Sequence, residues 1–207
     1  MKTNTCLKLM IACSVSLLFA LYSCNTGDNK SQPSNETVTV EPVAEETQID
    51  SIALALHELD SIMNSGRLVH LDVYELGKLK SISVSVQKIT SEDQSLAYIN
   101  FRKDCGGEYY YSWEDARLLA NECPYFLDAM NVIIENKTRE VDHEERYAYI
   151  TKDNMRLFST ASPGKRWNIE LSVDFHKQNS TITLSDKELE DLRDLILKGQ
   201  KKIEEIQ

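Results

Sequence analysis

Glycine and proline are scarce, with seven and four among 207 residues, too few for a collagen-like or low-complexity chain. Positive charge is also short: 23 Lys and Arg stand against 33 Asp and Glu, for a formal charge of −10. That balance argues against nucleic acid, or any partner held mainly through its phosphates. No apolar run reaches the roughly 20 residues of a spanning helix. With 27% charged residues, a polytopic membrane protein is excluded. Catalytic signatures are missing too. There is no Gly-x-Ser-x-Gly elbow, and His57-Glu58 leads into Leu59-Asp60-Ser61 where a zinc protease would place a second histidine. Gly164-Lys165 lacks the upstream glycine and downstream hydroxyl of a phosphate loop, and Ser162-Pro163-Gly164-Lys165-Arg166 reads as a hairpin turn. Asp142-His143-Glu144-Glu145 reads as a solvated loop. Neither a metal nor a cofactor is expected.

The clearest positive signal lies in the first 24 residues. Lys2 and Lys8 make a short basic start, and the 14 residues from Leu9 to Tyr22 carry no charge, which fits the apolar stretch of a secretory signal. The run ends in Leu21-Tyr22-Ser23-Cys24 and turns polar at once. These residues resemble the lipobox and type II signal peptide of bacterial lipoprotein precursors of the Bacteroidetes type. An aliphatic residue stands three before the cysteine and a small one just before it; Tyr22 is bulkier than the usual occupant. The resemblance implies that residues 1–23 are removed and that Cys24 becomes the acylated N-terminus. Several acyl chains, each contributing about 0.8 kcal/mol per buried CH₂, anchor a protein without any span. The implied address is the cell envelope, with the membrane engaged through the lipid anchor. Asn25, and the absence of a dense acidic cluster after Cys24, point to the outer membrane facing the periplasm; surface display is the alternative.

Removing residues 1–23 takes away two lysines and no acid, leaving −12 on the mature chain. Cys6 and Cys13 go with the signal, so Cys105 and Cys123 are the remaining thiols. An oxidising compartment permits a disulfide between them, closing a loop of about 19 residues at roughly 3 kcal/mol. Two free thiols are the alternative.

Residues 24–48 comprise the lipidated cysteine and a polar, acidic stretch with Pro33, Pro42 and no aromatic residue, the composition of a flexible linker. A single globular domain is expected over 49–207. It opens with a helix over 50–64, where Ile52, Leu56, Leu59 and Met63 fall on one stripe, Asp50 or Ser51 caps the start, and Gly66 follows the end. From Arg67 the period is mostly two, as in Ile82/Val84/Val86, Ala97/Ile99/Phe101 and Trp167/Ile169/Leu171/Val173/Phe175. Strands are expected near 67–74, 79–90, 95–103 and 108–120, then a helix over 122–136; Ser112-Trp113-Glu114-Asp115 could instead start a short helix. A second set follows near 144–151, 155–162, 166–176 and 179–184, with a helix over 186–206 capped by Ser185 and Glu188. The fold class is therefore α+β: antiparallel sheets in two ββββα-like halves, about 67–137 and 144–206, preceded by an N-terminal helix. This order resembles the PUR and Whirly folds, which pair two ββββα units. The resemblance rests on topology alone and says little about function; the nucleic-acid binding it would suggest is opposed by the acidic charge.

Tyr109, Tyr111 and Trp113 fall on one face of the expected fourth strand, where three aromatics either stack on a ligand or pack into the core. Asp50-Ser51-Ile52 resembles the Asp-Ser/Thr-aliphatic sites of Bacteroidetes O-glycosylation, which makes Ser51 a candidate. The expected function is a non-catalytic binding module for a protein or glycan partner. The alternative is an envelope hydrolase whose carboxylates form no recognisable motif.

Overall fold

A computed structural model describes residues 43–92, 94–106 and 112–207, with side chains from residue 51 onward. Helix α1 spans Val43–Met63. It begins inside the stretch read as linker, so neither Asp50 nor Ser51 caps it. Ala44, Glu45, Glu46 and Gln48 are good helix formers, and the polar composition around them hid that propensity. Ile52, Leu59 and Ile62 are buried, with Ala55 and Leu56 partly so, whereas Met63 is half-exposed rather than on the stripe. The helix ends as expected, with Asn64 N–H donating to Asp60 O at 3.0 Å and Gly66 at φ +70°.

Two antiparallel four-stranded sheets follow, each with its strands in chain order. The first holds β1 (His70–Leu79), β2 (Ile82–Thr90), β3 (Ser95–Asp104) and β4 (Trp113–Leu119), and leads into α2 (Cys123–Asn136). The second holds β5 (Glu145–Ile150), β6 (Arg156–Ala161), β7 (Asn168–Ser172) and β8 (Thr181–Leu184), and leads into α3 (Asp186–Ile206). The class is α+β with two ββββα halves, and the segment at 112–115 enters a strand, not a helix. Ser185 accepts from Glu188 N–H while the Glu188 carboxylate accepts from Ser185 N–H, the capping box read from the sequence.

Among the strands, the β1–β2 turn and the end of β7 depart from expectation for reasons visible in the structure. β1 runs on to Leu79, with an extra residue at Leu76 where the register with β2 shifts. The hairpin then turns through Lys80 and Ser81, with Lys80 at φ +52°. β7 stops at Ser172, short of 176, because residues 173–180 fold onto the Ser180 hydroxyl. That hydroxyl accepts from Asp174 N–H at 3.2 Å and donates to Lys177 O at 2.7 Å.

The inner faces of both sheets share one core with α2 and α3, including Val84, Ile99, Phe101, Leu118, Phe126, Met130, Leu157, Leu171, Leu192 and Ile196. The helices exchange partners: α3, from the second half, lies across β1, β2 and β3, while α2 packs against β5 and α3. A smaller cluster of Ile52, Leu59, Ile62, Ile89, Tyr98 and Leu119 fixes α1 on the outer face of the first sheet.

Candidate functional site

Because side chains alternate along a strand, each strand of the first sheet sends one set of residues inward and the other outward. α1 covers only one end of the outer face. The rest forms an open groove of about 470 Å³. Cross-strand register makes its floor: Glu75 stands opposite Ser85, Ser85 opposite Asn100, and Asn100 opposite Arg117. In the adjacent row Val73 faces Gln87 and Gln87 faces Tyr98. The short serine side chains keep the middle low. Leu71, Val73 and Met63 form an aliphatic rim, exposed at 44%, 49% and 50%.

Tyr98, Gln87, Asn100, Arg102 and Arg117 of the floor are held by side-chain hydrogen bonds. Tyr98 hydroxyl donates to Gln87 Oε1 at 2.8 Å, and burial pushes its pKa up. Arg102 Nε donates to Asp115 Oδ1 at 2.7 Å, and Asn100 Nδ2 donates to the same oxygen at 3.2 Å. Arg117 donates to Asp153 from Nε at 2.9 Å and from Nη2 at 2.8 Å, and to Asp60 from Nη1 at 2.6 Å. These bonds to two carboxylates raise its pKa and join β4, α1 and the β5–β6 turn. With both arginines paired, the floor offers oriented amides and hydroxyls beside the exposed Glu75 carboxylate, while the rim offers apolar surface.

Trp113 opens β4 on the same face as Asp115 and Arg117. It is 57% exposed, so it is not core, and the Arg102 guanidinium lies 5.6 Å from its ring centre. Tyr109 and Tyr111 lie outside the described residues, as does Cys24. Ser51 is exposed on α1. Cys105 and Cys123 are free thiols in this structure. Cys123 is buried at the start of α2, where burial pushes its pKa up to about 12, whereas Cys105 is half-buried with Lys103 Nζ 3.8 Å from its sulfur. The sequence placed no weight on Ser83, Ser85, Gln87, Asn100 or Arg117; their alternation with core residues was the available signal.

Among the described residues, no group of three or more His, Cys, Asp or Glu is placed to hold a metal ion. Glu122 is the carboxyl pushed furthest upward, to about 7, by burial. It is 2% exposed at the head of α2 and lies away from the groove. No helix among the described residues is long and apolar enough to cross a membrane. No family model matches the chain, and no curated protein sequence matches it.

Proposed function

We propose that this chain is a lipid-anchored cell-envelope protein that works by binding, and that a protein partner docks on the outer face of its first sheet. The observation that carries the docking face is the aliphatic rim of Leu71, Val73 and Met63 beside a floor whose two arginines are already paired. Apolar surface of this kind favours a polypeptide over a neutral glycan, which prefers an aromatic platform. β1 is also an edge strand of its sheet, the position from which an extended segment can be recruited. The lipobox-like Leu21-Tyr22-Ser23-Cys24 supports the anchor, with the outer membrane facing the periplasm as its address.

A photo-crosslinking residue at position 73 of the membrane-bound protein tests the face. One partner is expected at near-equal stoichiometry, lost on Leu71→Asp, with nothing captured from position 194 on the exposed side of α3. Capture from 194 but not from 73 would move the interface elsewhere. Cys24→Ala is expected to shift the protein from the membrane to the soluble fraction and to remove the acyl mass from its N-terminal peptide. Retention in the membrane fraction would exclude Cys24 as the anchor.

A further inference from the structure

The second half carries a groove that the docking reading does not use. It lies between the segment after α2, the β6–β7 hairpin and the start of α3, and encloses about 970 Å³. In a chain of formal charge −10, its lining is cationic: Lys137, Arg139, Lys165, Arg166 and Lys187 against Glu140 and Asp186. Two of the cations are engaged. Lys137 lies 3.4 Å from Glu190, and Arg139 pairs with Glu145. Lys165, Arg166 and Lys187 have no ion-pair partner among the described residues.

A tight turn fixes the backbone that carries Lys165 and Arg166, and Lys187 projects from the first turn of α3. Lys165 N–H donates to Ser162 O at 2.9 Å, Gly164 sits at φ +71°, and Pro163 presets the corner. Beside them Trp167 is half-buried, stacked on Tyr147 with ring centres 5.4 Å apart and planes 18° from parallel. Its indole N–H donates to Arg139 O at 3.0 Å, which fixes the ring's orientation. A fixed aromatic plane next to unpaired cations, in a space far larger than one small anion needs, suits a sugar ring that carries acid groups.

We propose that this groove binds an acidic saccharide, with Trp167 as the stacking plane and Lys165, Arg166 and Lys187 taking its carboxylates or phosphates. Calorimetric titration of the full chain with tetragalacturonate and with glucose 1,6-bisphosphate tests it. Saturable binding of either probe is expected, weakening with added salt and weakened at least tenfold by the double substitution Lys165→Gln, Arg166→Gln. Both side chains are exposed, and an unchanged thermal melt would show that the fold is intact. Whichever probe binds identifies the acid group. The proposal is overturned if neither probe saturates, if the methyl ester of tetragalacturonate binds as well as the acid, or if inorganic phosphate displaces the sugar at equal concentration. It is also overturned if a folded Trp167→Leu chain keeps full affinity.

Discussion

A carboxyl group that is 2% exposed, with one oxygen lacking any hydrogen-bond partner, is costly to ionise, and Glu122 is in that position. Its other oxygen accepts from Lys152 N–H at 2.8 Å, which ties the head of α2 to the β5–β6 turn. Burial raises its pKa to about 7, the nearby Asp153 carboxylate adds to the rise, and Lys152 opposes it. The folded chain therefore holds a proton that the unfolded chain releases near 4.5, and stability falls as pH rises between those values. Below that window the contribution is fully present, and above about 7 nothing further is lost. Glu122→Gln keeps an acceptor for Lys152 N–H and removes the ionisation. Urea unfolding should show the variant more stable than the parent by roughly 3 kcal/mol at pH 8 and close to it near pH 4.5. A variant weaker at both pH values would mean that the carboxylate is being used. None of this was legible from the sequence, where Glu122 is one acid among many. Trp113 was legible as a candidate, because it alternates with Tyr109 and Tyr111 along one expected strand, a pattern visible in one dimension. Arg117 was not, since its partners Asp60 and Asp153 come from distant segments.

At the scale of single elements, α3 shows how a helix meets a sheet closely. Leu189, Leu192, Ile196 and Ile203 are buried, as the helical spacing indicated, and so is Gly199. A β-carbon at Gly199 would lie 2.5 Å from Ile99 Cδ1, 2.8 Å from Ile99 Cγ1 and 3.1 Å from Leu76 Cδ1. Two effects oppose each other in Gly199→Ala. Helix propensity gains about 1 kcal/mol. Overpacking against the fully buried Ile99 loses about 1–3 kcal/mol, because that side chain has little room to yield. The overpacking should win, with a net loss on the order of 1 kcal/mol in denaturant titrations; a gain would show that α3 can lift from the sheet. The sequence offered no hint of this approach, because glycine carries no apolar signal. The β1–β2 turn was misplaced for a related reason. Lys80 adopts φ +52° with no Asn-Gly or Asp-Gly signature, and is held by tertiary bonds, its Nζ donating to Thr183 O at 2.5 Å and lying 3.1 Å from Glu188.

The whole molecule depends on a pairing that periodicity cannot express. Phe126, Ala129 and Ile133 of α2 stand at the same spacing as Leu189, Leu192 and Ile196 of α3, in line with the repeated ββββα order. They say that each helix buries a stripe, but not against which sheet. In the structure α3 leaves its own half and lies over β1–β3, and it is bonded there at two heights. Lys198 Nζ donates to Leu76 O at 3.0 Å, and Lys88 Nζ donates to Ile206 O, a cation placed at the negative end of the helix. The first sheet without α3 would expose Val84, Val86, Ile99 and Phe101, all fully buried in the intact chain. Burial of one such side chain contributes about 1.5–3 kcal/mol, so losing these four removes about 6–12 kcal/mol, comparable to the whole 5–15 kcal/mol by which a domain is stable. Residues 41–140 produced alone should accordingly lack a cooperative thermal transition. Mixing them with residues 141–207 should restore it, because the second fragment supplies α3 and the inner face of the second sheet. If the first fragment melted cooperatively by itself, the exchange of helices would be ornament to two independent halves. If the two fragments recover the transition only together, the core is built between the repeats, and the docking groove and the cationic groove stand on one folding unit.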